Sequence, residues 1–249
     1  MMNEKQSTER YAVVTGANKG IGFETVRQLA VLGVTVLLTA RNEKRGTEAV
    51  ASLHGLGLSK VLYHQLDVQD PQSIQALADF IQTRFGKLDM LVNNVGASGV
   101  VVDEDGLRAL NIDPASWLSG KATNLVQDVM ITTYDKAIEC LNTNYYGVKN
   151  VTRALLPLLQ CSTSGGRIVN STGGQRCYRL TLCQKPCSIP TLEFLQRNCV
   201  HPGHVDTDLN WHTGTMTLQE GAQGSVMLAL LPQGGPSGCY FDRTQVAEF

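Results

Sequence analysis

The glycine-rich stretch at residues 15–22, which reads TGANKGIG, constrains the fold of this 249-residue chain more than any other feature. It follows an apolar run at 11–14 and opens a helical pattern of apolar residues. A strand that leads through such a turn into a helix provides a phosphate site at the helix N-terminus. We expect Gly16 to allow the tight turn, Gly20 to let the backbone approach a phosphate, and Gly22 to permit close helix packing. The alternative is an ordinary strand–helix turn.

The rest of the chain alternates between strand-like and helical patterns. Apolar runs that predict strands lie at 11–14, 34–38, 61–66, 90–92 and 167–169, and helical patterns lie at 23–32, 44–53, 73–85 and 136–159. Asp70 and Pro71 together are a good start for the third helix. Continuous apolar strands that alternate with helices predict a parallel sheet covered on both faces. Because no repeat or linker divides the chain, we predict one domain over residues 1–249.

Composition and charge exclude several classes of protein. The chain is 43% hydrophobic and 17% charged with a formal net charge of -1, which predicts a globular protein without a nucleic-acid or anionic-membrane partner. The first ten residues are polar, and the longest apolar stretch, at 29–40, is too short to span a bilayer. Seven cysteines without secretory features predict reduced thiols and a cytoplasmic location.

A cluster of sulfur and imidazole side chains raises the question of a metal. Four cysteines and two histidines lie close together in the sequence: Cys177, Cys183, Cys187, Cys199, His201 and His204. A zinc site needs compactly spaced ligands, and the cluster contains no Cys-x-x-Cys pair. We therefore expect no metal, with a zinc site as the alternative.

Residues 97–135 break the alternation of strands and helices. The segment contains Gly99, Gly106 and Pro114 and an amphipathic stretch at 125–131. It leaves the carboxyl side of the predicted sheet, where ligands bind in doubly wound folds. Long connections of this kind are functional or disordered. A wall of a substrate pocket and a flexible surface insertion are therefore both open interpretations.

The end of the second predicted strand indicates which dinucleotide would bind. A fold that prefers NAD normally carries an acidic residue there, which bonds the ribose 2′-OH. Residues 34–42 contain no Asp or Glu, and Arg41 stands at the strand end with Lys44 and Arg45 behind it. A guanidinium suits a 2′-phosphate, and cations at a helix N-terminus otherwise oppose the helix dipole. These residues favour NADP(H), and the alternative is a solvated basic helix start.

Several motifs together point to a family. The chain resembles the short-chain dehydrogenases/reductases, in particular the carbonyl reductase branch with plant menthone, neomenthol and salutaridine reductases. The motifs stand in the family's order over residues 1–174 and 198–249: TGANKGIG at 15–22, the basic cluster at 41–45, LDV at 66–68, LVNNVG at 91–96, NTNY at 142–145, RIVNS at 167–171, HPGHVDTD at 201–208, EGA at 220–222 and LLPQGGPSG at 230–238. The resemblance implies a Rossmann-type doubly wound α/β domain, a carbonyl substrate and a monomer.

The resemblance also implies roles for individual residues. Asn144 corresponds to the catalytic asparagine that organises a proton-relay water, and Ser171 to the serine that hydrogen-bonds the substrate carbonyl oxygen. Together with the glycine turn and the basic cluster, the family's motifs give these candidate cofactor-binding residues: Thr15, Gly16, Asn18, Lys19, Gly20, Ile21, Gly22, Arg41, Arg45, Asp67, Val68, Asn93, Gly96, Pro202, Gly203 and Thr207. The family implies adenine contacts for Asp67 and Val68. It also favours a pocket wall for residues 97–135.

The chain departs from the family at the proton donor. The family uses a Tyr-x-x-x-Lys pair after the serine, on one helical face, where the lysine lowers the pKa of the tyrosine. The one literal match runs from Tyr145 to Lys149 and precedes Ser171, so we interpret it as coincidental. After Ser171, Tyr178 is the only tyrosine before Pro202, and no lysine stands four residues beyond it.

The missing pair suggests a deleted or replaced segment. Only 31 positions separate Ser171 from Pro202, and residues 175–197 resemble nothing in the family. We predict poor order for 175–197, with a short helix at 190–197 capped by Ser188. Three functions remain open: an impaired NADPH-dependent reductase of a small terpenoid- or alkaloid-like ketone with Tyr178 as donor, an inactive NADP(H)-binding pseudoenzyme, and an unstable truncated product.

Overall fold

The computed structural model describes residues 9–171 and 195–248. Its strands are β1 (Tyr11–Val14), β2 (Thr35–Ala40), β3 (Val61–Gln65), β4 (Met90–Asn93), β5 (Val101–Val102), β6 (Met130–Ile131), β7 (Gly166–Ser171), β8 (Leu195–His201), β9 (Tyr240–Asp242) and β10 (Gln245–Ala247). Eight of them form one sheet in the order β10-β9-β8-β7-β4-β1-β2-β3, and β5 pairs with β6 in a separate hairpin. The large sheet is parallel except for the antiparallel pair of β9 and β10.

Helices cover both faces of the sheet. They are α1 (Gly20–Val31), α2 (Glu43–Gly55), α3 (Pro71–Phe85), α4 (Glu104–Ala109), α5 (Pro114–Leu118), α6 (Ala122–Leu125), α7 (Tyr134–Leu141), α8 (Val148–Gln160) and α9 (Leu218–Ala229). A π-helical turn, Asn142–Gly147, joins α7 to α8, and a 3-10 turn, Asp208–Asn210, follows β8. Within the described ranges, every helix falls short of the length and apolar character needed to cross a membrane.

Burial on both faces explains the continuous apolar strands. In β1, Ala12 and Val14 pack into one core with α1, α2 and α9, whereas Val13 packs into the opposite core with α3 and α8. Successive side chains of a strand point to opposite faces, so both parities must be apolar here. The predicted Rossmann-type doubly wound α/β sheet is therefore confirmed.

Most predicted elements are confirmed within a few residues. The third helix begins where the sequence indicated, because the Asp70 side chain accepts a hydrogen bond of 2.9 Å from the Gln72 backbone N–H and Pro71 occupies the first turn. The predicted helix at 136–159 is interrupted by the π-helical turn. The amphipathic stretch at 125–131 is divided between two elements, because α6 ends at Leu125 and β6 follows at Met130–Ile131.

The predicted poor order of residues 175–197 is wrong at its C-terminal end. Leu195–His201 forms β8, which pairs in parallel with β7 from Gly166 opposite Leu195 to Ser171 opposite Val200. Residues 195–197 are therefore strand rather than the end of the short helix predicted at 190–197. Ser188, Tyr178 and the three cysteines at 177, 183 and 187 lie outside the described residues.

Candidate active site

A cleft of about 650 Å³ lies at the carboxyl ends of β1 and β4, where the strand order reverses. Doubly wound sheets bind ligands at this point, because the connections on its two sides leave in opposite directions. The cleft brings together these candidate residues: Gly16, Lys19, Gly20, Ile21, Asn93, Gly96, Asn144, Ser171, Pro202, Gly203 and Thr207. The loop after β8 supplies one wall of the cleft, opposite the glycine turn.

Other candidates lie beside this cleft rather than in its lining. Thr15, Asn18 and Gly22 belong to the turn between β1 and α1, and Thr15 is buried beneath it. Arg41 and Arg45 follow β2, and Asp67 and Val68 follow β3, at the same carboxyl edge of the sheet. The last four positions lie beyond the cleft, at the ends of the neighbouring strands β2 and β3.

Backbone conformation and close packing explain why glycine occupies these positions of the turn. Gly16 and Gly20 both have φ of +62°, a left-handed conformation that side chains rarely adopt. A Cβ on Gly22 would lie 2.3 Å from Asn94 Nδ2, whereas a Cβ on Gly20 would have only the Thr207 methyl within reach, at 4.0 Å. Gly20 thus exposes backbone toward the cleft, and Gly22 lets α1 pack on the loop after β4.

Two side chains join the loops after β1 and β4. The Thr15 hydroxyl accepts hydrogen bonds from the backbone N–H groups of Asn94 and Val95, at 3.0 and 3.1 Å. The Asn94 amide donates in return to the backbone oxygens of Thr15 and Gly16, at 3.0 and 3.2 Å. Sequence reasoning assigned Asn94 no role beyond its motif, although it fixes the floor of the cleft.

The N-terminus of α1 differs from those of most other helices. A side chain accepts a hydrogen bond from the first turn of α2, α3, α4, α5, α7 and α9. Lys19 precedes α1 without a side-chain cap, and the first turn contains no acidic residue. The first N–H groups and the positive end of the helix dipole therefore face the cleft, an arrangement that suits an anion.

Asn144 holds the loop after β4 against the helical layer. It lies in the π-helical turn, where its Oδ1 accepts a 2.8 Å hydrogen bond from Ala97 N–H and its Nδ2 donates a 2.9 Å bond to Ala97 O. The backbone N–H and C=O of Ala97 thus bind both ends of the Asn144 carboxamide. π-Helical turns often occur at functional sites, and this one directs Asn144 into the cleft.

The neighbouring Tyr145 and Lys149 do not form a catalytic pair in the cleft. Lys149 Nζ lies 5.7 Å from the centroid of the Tyr145 ring, which is a cation–π contact. Asn144 and Val148 line the cleft, and the tyrosine and the lysine do not. The geometry agrees with the interpretation that this sequence match is coincidental.

Two buried asparagines, Asn93 and Asn170, lie at the ends of β4 and β7, next to Ser171. Ser171 ends β7, and the preceding Asn170 accepts a 2.9 Å hydrogen bond from Asn93 Nδ2. Asn93 Oδ1 is buried without a hydrogen-bond partner among the described residues. Because buried amide oxygens are rarely unpartnered, this atom marks a place where a ligand or water would donate a hydrogen bond.

Because of His204, in the loop after β8, we expect the stability of the protein to be sensitive to acid. Burial, and secondarily the nearby His201, lower the pKa of His204 below its ordinary value of 6.5, and its Nδ1 has no hydrogen-bond partner in the described structure. The unfolded chain therefore binds more protons below about pH 6.5, so that stability falls on acidification. We expect the melting temperature of His204→Phe to fall less than that of the parent between pH 7.5 and 5.5.

A second variant tests whether the acid sensitivity comes from the His204 imidazole itself or from its contact with Thr213. Thr213 Oγ1 lies 3.3 Å from His204 Nε2, and Thr213→Val removes this contact while keeping the imidazole. This variant is expected to keep the acid sensitivity of the parent. Parallel melting profiles for the parent and His204→Phe would contradict the assignment.

Comparisons with known proteins identify the family. A family model described as short chain dehydrogenase matches residues 10–179. Short-chain dehydrogenase/reductase 1 of Saponaria officinalis is 42% identical to the chain and covers 97% of it and 96% of its own length. (+)-Neomenthol dehydrogenase of Arabidopsis thaliana is 39% identical and covers 98% of the chain and 99% of its own length. The structure of salutaridine reductase from Papaver somniferum superposes with a TM-score of 0.81 at 36% identity, over 94% of this chain and 99% of that one.

The chain therefore belongs to the short-chain dehydrogenase/reductase family. It falls in the branch of these plant reductases, as its motifs indicated. Members of this family are oxidoreductases with a nicotinamide cofactor.

Proposed function

We propose that this chain is by lineage an NADPH-dependent carbonyl reductase that retains its cofactor site and has impaired turnover. The observation that carries the proposal is the uncapped N-terminus of α1, which faces a cleft shared with Asn144 and Ser171. The glycine turn and the helix dipole suit the diphosphate of a dinucleotide.

The other candidate residues, in the cleft and beside it, fit the rest of NADPH. Arg41 and Arg45 are exposed at the end of β2, where they would hold the 2′-phosphate. Asp67 and Val68 would contact the adenine, and Asn93 and Gly96 would hold the turn beside the cofactor. Pro202, Gly203 and Thr207 would lie against the nicotinamide. When bound, NADPH supplies the hydride for reduction of the carbonyl carbon.

A second cavity supports a small cyclic substrate. It has a volume of about 630 Å³, and its walls come from residues 104–117 and the loop at 208–215. Trp117 and Trp211 provide apolar surface, and Asp208 and His212 border both this cavity and the cleft. These contacts favour the pocket-wall interpretation of 97–135 and a terpenoid- or alkaloid-like ketone, in keeping with relatives named neomenthol dehydrogenase and salutaridine reductase.

The proton-donating step is where the site is incomplete. Ser171 would donate a hydrogen bond to the carbonyl oxygen, but no tyrosine lines the cleft within the described ranges. The alignment with the Saponaria relative runs over 298 positions, more than the 249 residues of this chain, so that relative carries residues without a counterpart here. We place the missing segment after Ser171, where the Tyr-x-x-x-Lys pair is expected.

Two measurements test the proposal. We expect NADPH to raise the melting temperature and the chain to oxidise NADPH slowly with cyclic ketones such as menthone. Ser171→Ala should abolish this oxidation while leaving the NADPH-dependent thermal shift intact. If Tyr178→Phe also abolishes it, Tyr178 is the donor. Binding without any oxidation would favour an inactive NADP(H)-binding pseudoenzyme or truncated isoform, and absence of a thermal shift would refute the cofactor site.

We further propose that the protein is a cytoplasmic monomer without a nucleic-acid or membrane partner. This rests on the net charge of -1 and on the family resemblance. Light scattering of the purified chain tests the monomeric state, and a fluorescent fusion tests the location.

A further inference from the structure

A row of ionisable side chains crosses the mouth of the cleft. Lys19 Nζ lies 2.5 Å from Asp208 Oδ2, and Asp208 Oδ1 lies 3.1 Å from His212 Nε2. The other ring nitrogen of His212 lies 2.6 Å from Asp206 Oδ1. Lys19 precedes α1, whereas the other three residues belong to the loop after β8. The contact between Lys19 and Asp208, here called the ionic clasp, thus joins opposite walls of the cleft.

The clasp engages the same cation that a phosphate group would use. Lys19 stands beside the uncapped N–H groups of α1, where an anion is best accommodated. The hydrogen bond from Lys19 is the main reason that the pKa of Asp208 lies below its ordinary value, so the carboxylate is ionised at neutral pH. An ionised carboxylate on Lys19 competes with a phosphate for that ammonium and repels it.

The loop that carries Asp208 has an uncommon backbone conformation. Trp211 and His212 both adopt left-handed φ values, +53° and +59°, although neither is glycine. Such residues persist only where the surroundings hold them. Here His212 N–H donates a 3.0 Å hydrogen bond to Thr207 O, and the His212 ring lies between two carboxylates. A change at Asp208 therefore bears directly on the conformation of this loop.

We propose that Asp208 is a positioning residue that holds Lys19 across the cleft of the unliganded protein and yields it to a phosphate group of the cofactor. The proposal rests on the proposed cofactor site. Asp208 thus fastens the loop at 206–212 when the cleft is empty and lowers the affinity for the dinucleotide. The diphosphate and the 2′-phosphate are the two groups that Lys19 would then bind, and NADH and NADPH distinguish them.

The decisive experiment is a fluorescence titration of NADPH with Asp208→Asn. We expect the dissociation constant to fall by about three- to fivefold in low salt, since an exposed ion pair contributes at most about that factor. The gain should shrink at 0.5 M salt, because screening weakens contacts between exposed charges. Asp206→Asn is the matched control: it removes a carboxylate from the same loop, one that pairs with His212, and should change the constant less than twofold.

A double-variant cycle separates the clasp from a general change of charge. In a Lys19→Met background, Asp208→Asn should bring no further gain. Weaker or unchanged NADPH binding by Asp208→Asn, an equal gain with Asp206→Asn, or a gain that persists without Lys19 would each overturn the proposal. A gain for both NADH and NADPH assigns Lys19 to the diphosphate, and a gain for NADPH alone assigns it to the 2′-phosphate.

A measurement without cofactor tests the ionic clasp independently of the proposed function. If the parent chain binds no NADPH, the cofactor site is refuted. Hydrogen exchange of the unliganded protein then decides whether the clasp exists. Lys19→Met and Asp208→Asn should both accelerate exchange of the amides at 206–212, and unchanged exchange in both variants would overturn the clasp itself.

Discussion

Gly22→Ala is expected to lower the free energy of unfolding by about 3 kcal/mol and to abolish NADPH binding. The added Cβ would lie 2.3 Å from Asn94 Nδ2 and 2.9 Å from both Ala17 Cα and Gly16 O. Asn94 has little freedom to retreat, because its amide is bonded to the backbone of the glycine turn. Chemical denaturation measures the stability, and the thermal shift with NADPH measures the binding.

A glycine in open surroundings is the matched control for this substitution. Gly55 lies at the end of α2 without a positive φ, and a Cβ added there would meet open space to a distance of 4 Å. Gly55→Ala should leave NADPH binding unchanged and alter stability by less than about 1 kcal/mol, in the stabilising direction. Equal behaviour of the two variants would show that the close approach of α1 to Asn94 has no energetic importance.

Arg41→Ala is expected to weaken NADPH binding by about 10- to 100-fold while leaving NADH binding within about twofold of the parent. A charge-assisted hydrogen bond contributes about 1.5–3 kcal/mol, and only NADPH offers a 2′-phosphate to receive it. Fluorescence titration with both dinucleotides measures this difference. Similar losses for the two cofactors would contradict the assignment of Arg41 to the 2′-phosphate.

The chain offers an exposed arginine of the same charge as a control. Arg84 lies in the last turn of α3. Since α3 runs from the carboxyl end of β3 to the amino end of β4, Arg84 lies at the opposite edge of the sheet from Arg41. Arg84→Ala should leave the affinity for both dinucleotides unchanged, so that a loss with Arg41→Ala reflects the position of the charge.

The central strands were predictable because they are buried on both faces. A strand buried on both faces is rich in apolar residues, so β1, β2 and β4 stand out in the sequence. The β8 strand does not, because LQRNCVH mixes polar and apolar residues. Two of its polar side chains find hydrogen-bond partners that are distant in the sequence: Gln196 donates to Pro232 O at 2.9 Å, and Asn198 donates to Pro236 O at 2.8 Å.

The same distinction between local and distant causes applies to the site. The glycine turn was predictable, since φ of +62° at Gly16 and Gly20 is a local demand on residue type. The contact between Lys19 and Asp208 was not, because 189 positions separate the two residues and only the fold brings them together. Asn94 stood within a recognised motif, but its bonds to the glycine turn required the structure.

The pairing of β7 with β8 has a consequence for how this chain can be altered. Gly166 faces Leu195 and Ser171 faces Val200, so both strands stay in register across their whole shared length. A segment that connects them must leave at the carboxyl edge and return at the amino edge, about 20 Å away. Those two attachment points are fixed by the sheet and not by the connecting sequence. We therefore expect the sheet to accept a different connecting segment, so that a relative's catalytic segment inserted between Ser171 and Leu195 would lie beside the proposed cofactor cleft.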